Sequence, residues 1–141
     1  MAFDFGTERI GVAVGEPATG IAHPLTTIAA ASMQARFAMI AALIAEWSPQ
    51  RLVVGLPVHM DGVEHTMTAK ARRFARQLEG RFRLPVELVD ERLSTNEAAE
   101  RLRASGVDAR RQKPVRDQVA AQTILQSWLD LHADEDVRHG R

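Results

Sequence analysis

The opening of the chain reads in twos. Residues 2–5 (AFDF) form a short apolar strand, 9–15 (RIGVAVG) an apolar stretch carrying β-branched residues, and 20–28 (GIAHPLTTI) a weaker third strand. The links Gly6-Thr7-Glu8 and Glu16-Pro17-Ala18-Thr19 are short and turn-like, which predicts antiparallel neighbours. The period then lengthens. Residues 32–47 (SMQARFAMIAALIAEW) place apolar positions at helical spacing, and Pro49 stops them. Residues 51–56 (RLVVGL) are nearly all apolar, as in a strand covered on both faces. A basic amphipathic helix over 64–82 and a strand over 85–89 (PVELV) follow.

Ser94 and Glu97 fit a capping box that opens a helix ended by Gly106. A basic loop over 106–114 (GVDARRQKP), a last helix over 115–132 and a charged, frayed tail over 133–141 complete the chain. The order β-β-β-α-β-α-β-α-α predicts an α/β domain over 1–132. Its five-stranded mixed sheet should be antiparallel on one side, parallel on the other, with helices on the faces.

Length and composition narrow the class. The chain has 141 residues and no cysteine, which fits one domain in a reducing compartment. Neither an export signal nor an apolar run of the ~20 residues that span a bilayer is visible, so a cytoplasmic protein without membrane contact is expected. Net charge is zero, but 13 of the 18 Lys/Arg lie between residues 70 and 116, against seven acids. Sixteen of the 18 are arginine, the better bidentate partner for phosphate. Tyrosine is absent and aromatics are few, so any nucleic acid would be held by its backbone rather than by stacked bases.

The chemistry rests on scattered acids. Ligands of parallel α/β sheets gather at the carboxyl ends of strands. Asp4 lies in the first strand, Asp61 in the loop after 51–56, and Glu91 directly after 85–89. Asp117 opens the last helix, and the small Ala120 and Ala121 one turn later allow that helix close to the sheet. Carboxylates converging there repel one another unless cations neutralise them, and all-oxygen ligation suits Mg²⁺ or Mn²⁺. Two such ions clamp the attacking and leaving oxygens of phosphodiester cleavage.

Plainer readings compete. Glu91 also reads as an exposed strand-end acid, Asp117 as a helix-start acid, and Asp61-Gly62 as a turn. Ser94 and Glu97 read as a cap, Trp47 and Trp128 as core, and the Lys70, Arg72, Arg73, Arg76 stripe as a solvated face. The five histidines lack metal spacing.

The blocks FDFGTERIGVAVGEP, LVVGLPVHMDGVEHTMTAKARRFA, VELVDERLSTNEA and KPVRDQVAAQTILQSWLD resemble, in order, those of the YqgF family, also called RuvX. The resemblance runs from Phe3 to Asp130. It implies a ribonuclease H-like fold and a cytoplasmic bacterial nuclease that trims the 5′ end of precursor 16S rRNA. Resolution of four-way DNA junctions is the alternative. By that resemblance Asp4, Glu91 and Asp117 take the acidic catalytic positions; in the two-metal mechanism expected from them, Asp4 bridges two Mg²⁺ or Mn²⁺ ions and Glu91 and Asp117 complete one each. Gly6 and Thr7 would shape the adjoining turn, and Arg9, Arg92, Arg111 and Lys113 are expected to hold phosphates. Either a monomer or a homodimer is compatible.

Family members carry several apolar residues ahead of the Phe-Asp pair, whereas here only Met1 and Ala2 precede it, so the expectation is either a frayed first strand or a true start upstream of Met1. Two other readings remain. One is a catalytically silent domain that binds RNA or protein. The other is an actin-like ATPase, which needs a second lobe that this length does not hold.

Overall fold

The computed structural model describes residues 1–16, 18–57, 66–90 and 109–138, with side chains of the last helix described over 115–132. The described elements are β1 (Ala2–Phe5), β2 (Ile10–Glu16), β3 (Ile21–Ile28), α1 (Met33–Trp47), β4 (Leu52–Leu56), α2 (Thr66–Phe82), β5 (Val86–Asp90) and α3 (Ala109–Arg138). They build one five-stranded sheet in the order β3-β2-β1-β4-β5. β1 pairs antiparallel with β2, and β2 with β3, while β1, β4 and β5 run parallel. The mixed sheet predicted from the spacing is therefore present, and the carboxyl ends of β1, β4 and β5 share one edge.

The sheet buries two different faces. On one, Phe3, Ile10, Val12, Leu52 and Val54 pack against Phe37 and Ile40 of α1 and Phe74 and Leu78 of α2. Each such side chain, fully removed from water, contributes about 1.5–3 kcal/mol. On the other, Ala2, Ala13, Ala22 and Val53 pack against Ala121, Ile124, Leu125 and Leu129 of α3. This second face is lined by small residues, so α3 lies close to the strands. Two glutamines fix its position along them. Gln126 accepts from the Ala22 N–H through Oε1 at 3.0 Å and donates to the Gly20 carbonyl at 2.8 Å, and Gln122 donates to the Ala22 carbonyl at 3.0 Å. These bonds also cover part of the sheet's β3 edge.

Three expectations need correction. β1 is not frayed: Met1, Ala2 and Phe3 are buried, and the Met1 carbonyl accepts from the Val53 N–H at 2.9 Å. β1 is paired on both flanks, with β2 and with β4. The helix expected from residue 115 starts at Ala109, so the last part of the expected basic loop is helical. The Ala-Arg-Arg-Gln-Lys run has strong helix propensity, and it outweighed Pro114 as a boundary signal. The same helix runs to Arg138. Trp47, expected in the core, is 47% exposed at the end of α1. The helix expected over 94–106 lies outside the described residues. Among them, no helix is long and apolar enough to cross a membrane.

Candidate acidic site at the sheet edge

Period-two alternation sorts the first strand. Phe3 and Phe5 point to the α1/α2 face, where both meet Phe74. Phe3 sits edge-on at 5.9 Å between ring centroids, and Phe5 is stacked at 4.8 Å. Asp4 therefore projects to the opposite face, the one covered by α3. It is half-buried, at the level where β1 ends. The two phenylalanines anchor the strand and leave the carboxylate no choice of side.

Asp4 pairs across the strands with Gly11 of β2. Cross-strand partners share a face, so Gly11 also looks toward α3. The helix arrives there: a Cβ built on Gly11 would lie 1.9 Å from the Asp117 carbonyl oxygen and 3.0 Å from the Asp117 Cβ. Any side chain at residue 11 would push the helix away. Partnered antiparallel Cα atoms are about 4.5–5.5 Å apart, so Asp4 and Asp117 lie within about a nanometre, backbone to backbone. The small Ala120 and Ala121, both buried, allow this approach as their size predicted.

Asp117 is already engaged. Arg9 Nε donates to its Oδ2 at 2.8 Å, and an Arg9 terminal nitrogen is 3.7 Å from Glu8. The Asp117 carboxylate holds the Arg9 guanidinium above its ordinary pKa, through the hydrogen bond first and charge attraction second. Arg9, expected to hold phosphate, is thus placed against an acid of the site.

Arg36 is a feature that sequence reasoning missed. It is 5% exposed in α1, and it collects backbone carbonyls. Its Nε donates to Ala30 at 2.9 Å, one terminal nitrogen to Gly6 at 3.4 Å, and the other to Thr7 at 2.6 Å and Glu8 at 3.2 Å. The bonds to Gly6, Thr7 and Glu8 hold the turn between Asp4 and Arg9 down onto α1. A lone arginine among helical residues gave no periodic signal for this role.

Glu91, Arg92 and Asp61 lie outside the described residues, as do the side chains of Arg111 and Lys113. Glu91 is the residue after Asp90, the last of β5, and Asp90 pairs with Leu56 of the parallel strand β4. Among the described residues no group of three or more His, Cys, Asp or Glu gathers. The described donors, Asp4 and Asp117, are both hard carboxylates on one face, and Asp117 takes a cation as its neighbour. That donor set fits Mg²⁺ or Mn²⁺ better than a softer metal.

Comparison with known proteins is consistent across the chain. The family model described as "RuvX: Holliday junction resolvase" matches residues 1–131. A relative from Methylobacillus flagellatus is 61% identical over 130 residues, covering 92% of this chain and 89% of the relative. One from Chromobacterium violaceum is 58% identical over 131 residues, covering 92% and 96%. One from Nitrosomonas europaea is 56% identical over 131 residues, covering 93% and 88%. All three carry the name "Putative pre-16S rRNA nuclease".

Proposed function

The chain belongs to the RuvX family, and from that premise we propose that it is a nuclease that hydrolyses phosphodiester bonds in RNA and trims the 5′ end of precursor 16S rRNA. The observation that carries the reading is the arrival of Asp117 directly over Gly11, the cross-strand partner of Asp4. Two acids from distant parts of the chain meet at the edge where parallel strands end. The names borne by the relatives support RNA as the substrate.

We assign Asp4, Asp117 and Glu91 as the groups that hold Mg²⁺ or Mn²⁺. When bound, such ions supply an activated water and neutralise the leaving oxygen. The chain's own residues supply placement. Phe3 and Phe5 fix the direction of Asp4, Gly11 lets α3 bring in Asp117, and Arg36 holds the turn between Asp4 and Arg9. Arg9 neutralises Asp117, which lowers the repulsion between the converging acids. Arg92, Arg111 and Lys113 are assigned to flanking phosphates. Trimming a single strand needs one such site, so a monomer suffices, and the substrate places the protein in the cytoplasm.

A cleavage assay with Mg²⁺ or Mn²⁺ tests this. Precursor 16S leader, unrelated single-stranded RNA and a four-way DNA junction are offered side by side. Cleavage of the leader at a defined 5′ position is expected. Cleavage of the junction alone would favour the activity in the family model's description and overturn the RNA reading.

A further inference from the structure

On the far side of the turn from Asp4, a groove of about 440 Å³ is lined by Phe5, Thr7, Arg36, Lys70, Arg73 and Gln77, among others. Three of these are cations, and none of the lining residues is a carboxylate. Lys70, Arg73 and Gln77 stand at i, i+3 and i+7 on α2, so they form one ridge along its wall. Lys70 and Arg73 are exposed, and among the described residues neither has an ion-pair partner. Arg36 supplies a buried charge beneath them. Its donors meet backbone carbonyls and the Met33 sulfur, and no described carboxylate pairs with it. Carbonyl dipoles spread that charge but do not cancel it, so the groove keeps a positive potential.

We propose that this groove is a second phosphate-binding subsite, which holds the backbone of a single-stranded nucleic acid a short way from the scissile bond. The proposal rests on the nuclease reading above. Its placement follows from Thr7, which lines the groove and sits in the turn joining Asp4 to Arg9. A strand leaving the acid edge and crossing that turn reaches Lys70 and Arg73 next. The cations then grip phosphates, the Thr7 hydroxyl and Gln77 amide add neutral donors, and no base is read. Lys70 and Arg73 of the α2 stripe, which from sequence alone reads as a solvated face, thus acquire a ligand.

The test is the salt dependence of binding, measured by fluorescence anisotropy of a labelled single-stranded RNA in EDTA, where no cleavage intervenes. Each phosphate contact to a single strand contributes about 0.7 to the slope of log K against log salt. Lys70→Ala and Arg73→Ala should each lower that slope by about 0.7. Arg76→Ala, an equal charge change on the same helix outside the groove, should leave it unchanged. Equal slopes in wild type and both groove variants, or an equal loss in Arg76→Ala, would overturn the subsite. Inorganic phosphate forms a second arm. If it raises the wild-type melting temperature through Lys70 and Arg73 while the RNA slopes do not move, the groove takes a free anion, and the strand proposal fails. If the wild type cleaves RNA but the slopes stay equal, only the subsite falls. Absence of both cleavage and RNA binding would sink the nuclease reading with it.

Discussion

Gly11 and the backbone of Asp117 touch. A Cβ at residue 11 would fall 1.9 Å from the Asp117 carbonyl oxygen, well inside any permitted contact. The atom met is main chain in a long helix, so it cannot swing aside as the end of a flexible side chain can. Gly11→Ala is therefore expected to shift α3 around Asp117. Overpacking costs roughly 1–3 kcal/mol where side chains can adjust, and here the cost should reach about 3 kcal/mol or more. Urea unfolding measures it. A variant as stable as wild type would mean that the helix does not sit on β2 this closely.

Asp4→Asn keeps the shape of the side chain and removes its charge. The strand is held by Phe3, Phe5 and pairing on both flanks, none of which involves the carboxylate. Stability should change by less than about 1 kcal/mol, within the range of substitutions that leave core packing intact. Cleavage should disappear, and heat from Mn²⁺ titration should fall toward baseline. An Asn variant that still cleaves would remove Asp4 from the proposed chemistry.

The legible parts of this molecule are those with a short period. Alternation through AFDF by itself separates Asp4 from its flanking phenylalanines, and Ala120 and Ala121 announce a close helix approach. The parts that escaped depend on distant partners. Gly11 reads as an ordinary strand residue until α3 lies on it. Arg36 reads as the polar side of a helix until a turn from elsewhere brings its carbonyls. Trp47 has the spacing of a core residue but falls at the last residue of α1, where it is exposed. Pro114 carries a strong local boundary signal, and the helix formers before it prevailed.

Arg9 and Asp117 form a pair that a divalent ion must share or displace. Both side chains are partly exposed, at 28% and 22%, so the pair itself is worth about 1 kcal/mol or less. Arg9→Gln should lower stability in EDTA by that amount. Mn²⁺ affinity should rise, because the Asp117 oxygen no longer has a resident cation competing for it. Calorimetric titration of both proteins settles the sign. Weaker Mn²⁺ binding in Arg9→Gln would show that Arg9 supports the metal site instead of competing with it.

In a chain that begins at Met1, its α-amine carries a pH dependence located at the sheet. It is largely buried, it donates to the Arg51 carbonyl at 3.3 Å, and burial lowers its pKa from 8.0 to about 6. Burial penalises the charged form, so between pH 6 and pH 8 the unfolded chain binds more protons at this group than the folded chain does. Its contribution to stability therefore rises with pH from about 6 to about 8 and is flat on either side. Two pKa units correspond to about 2.7 kcal/mol at most. Urea unfolding across this window should show the rise in a chain beginning at Met1. Acetylation of the amine should flatten it, since an amide cannot take up the proton. A slope equal in the free and acetylated proteins would mean that the amine reaches water in the folded state.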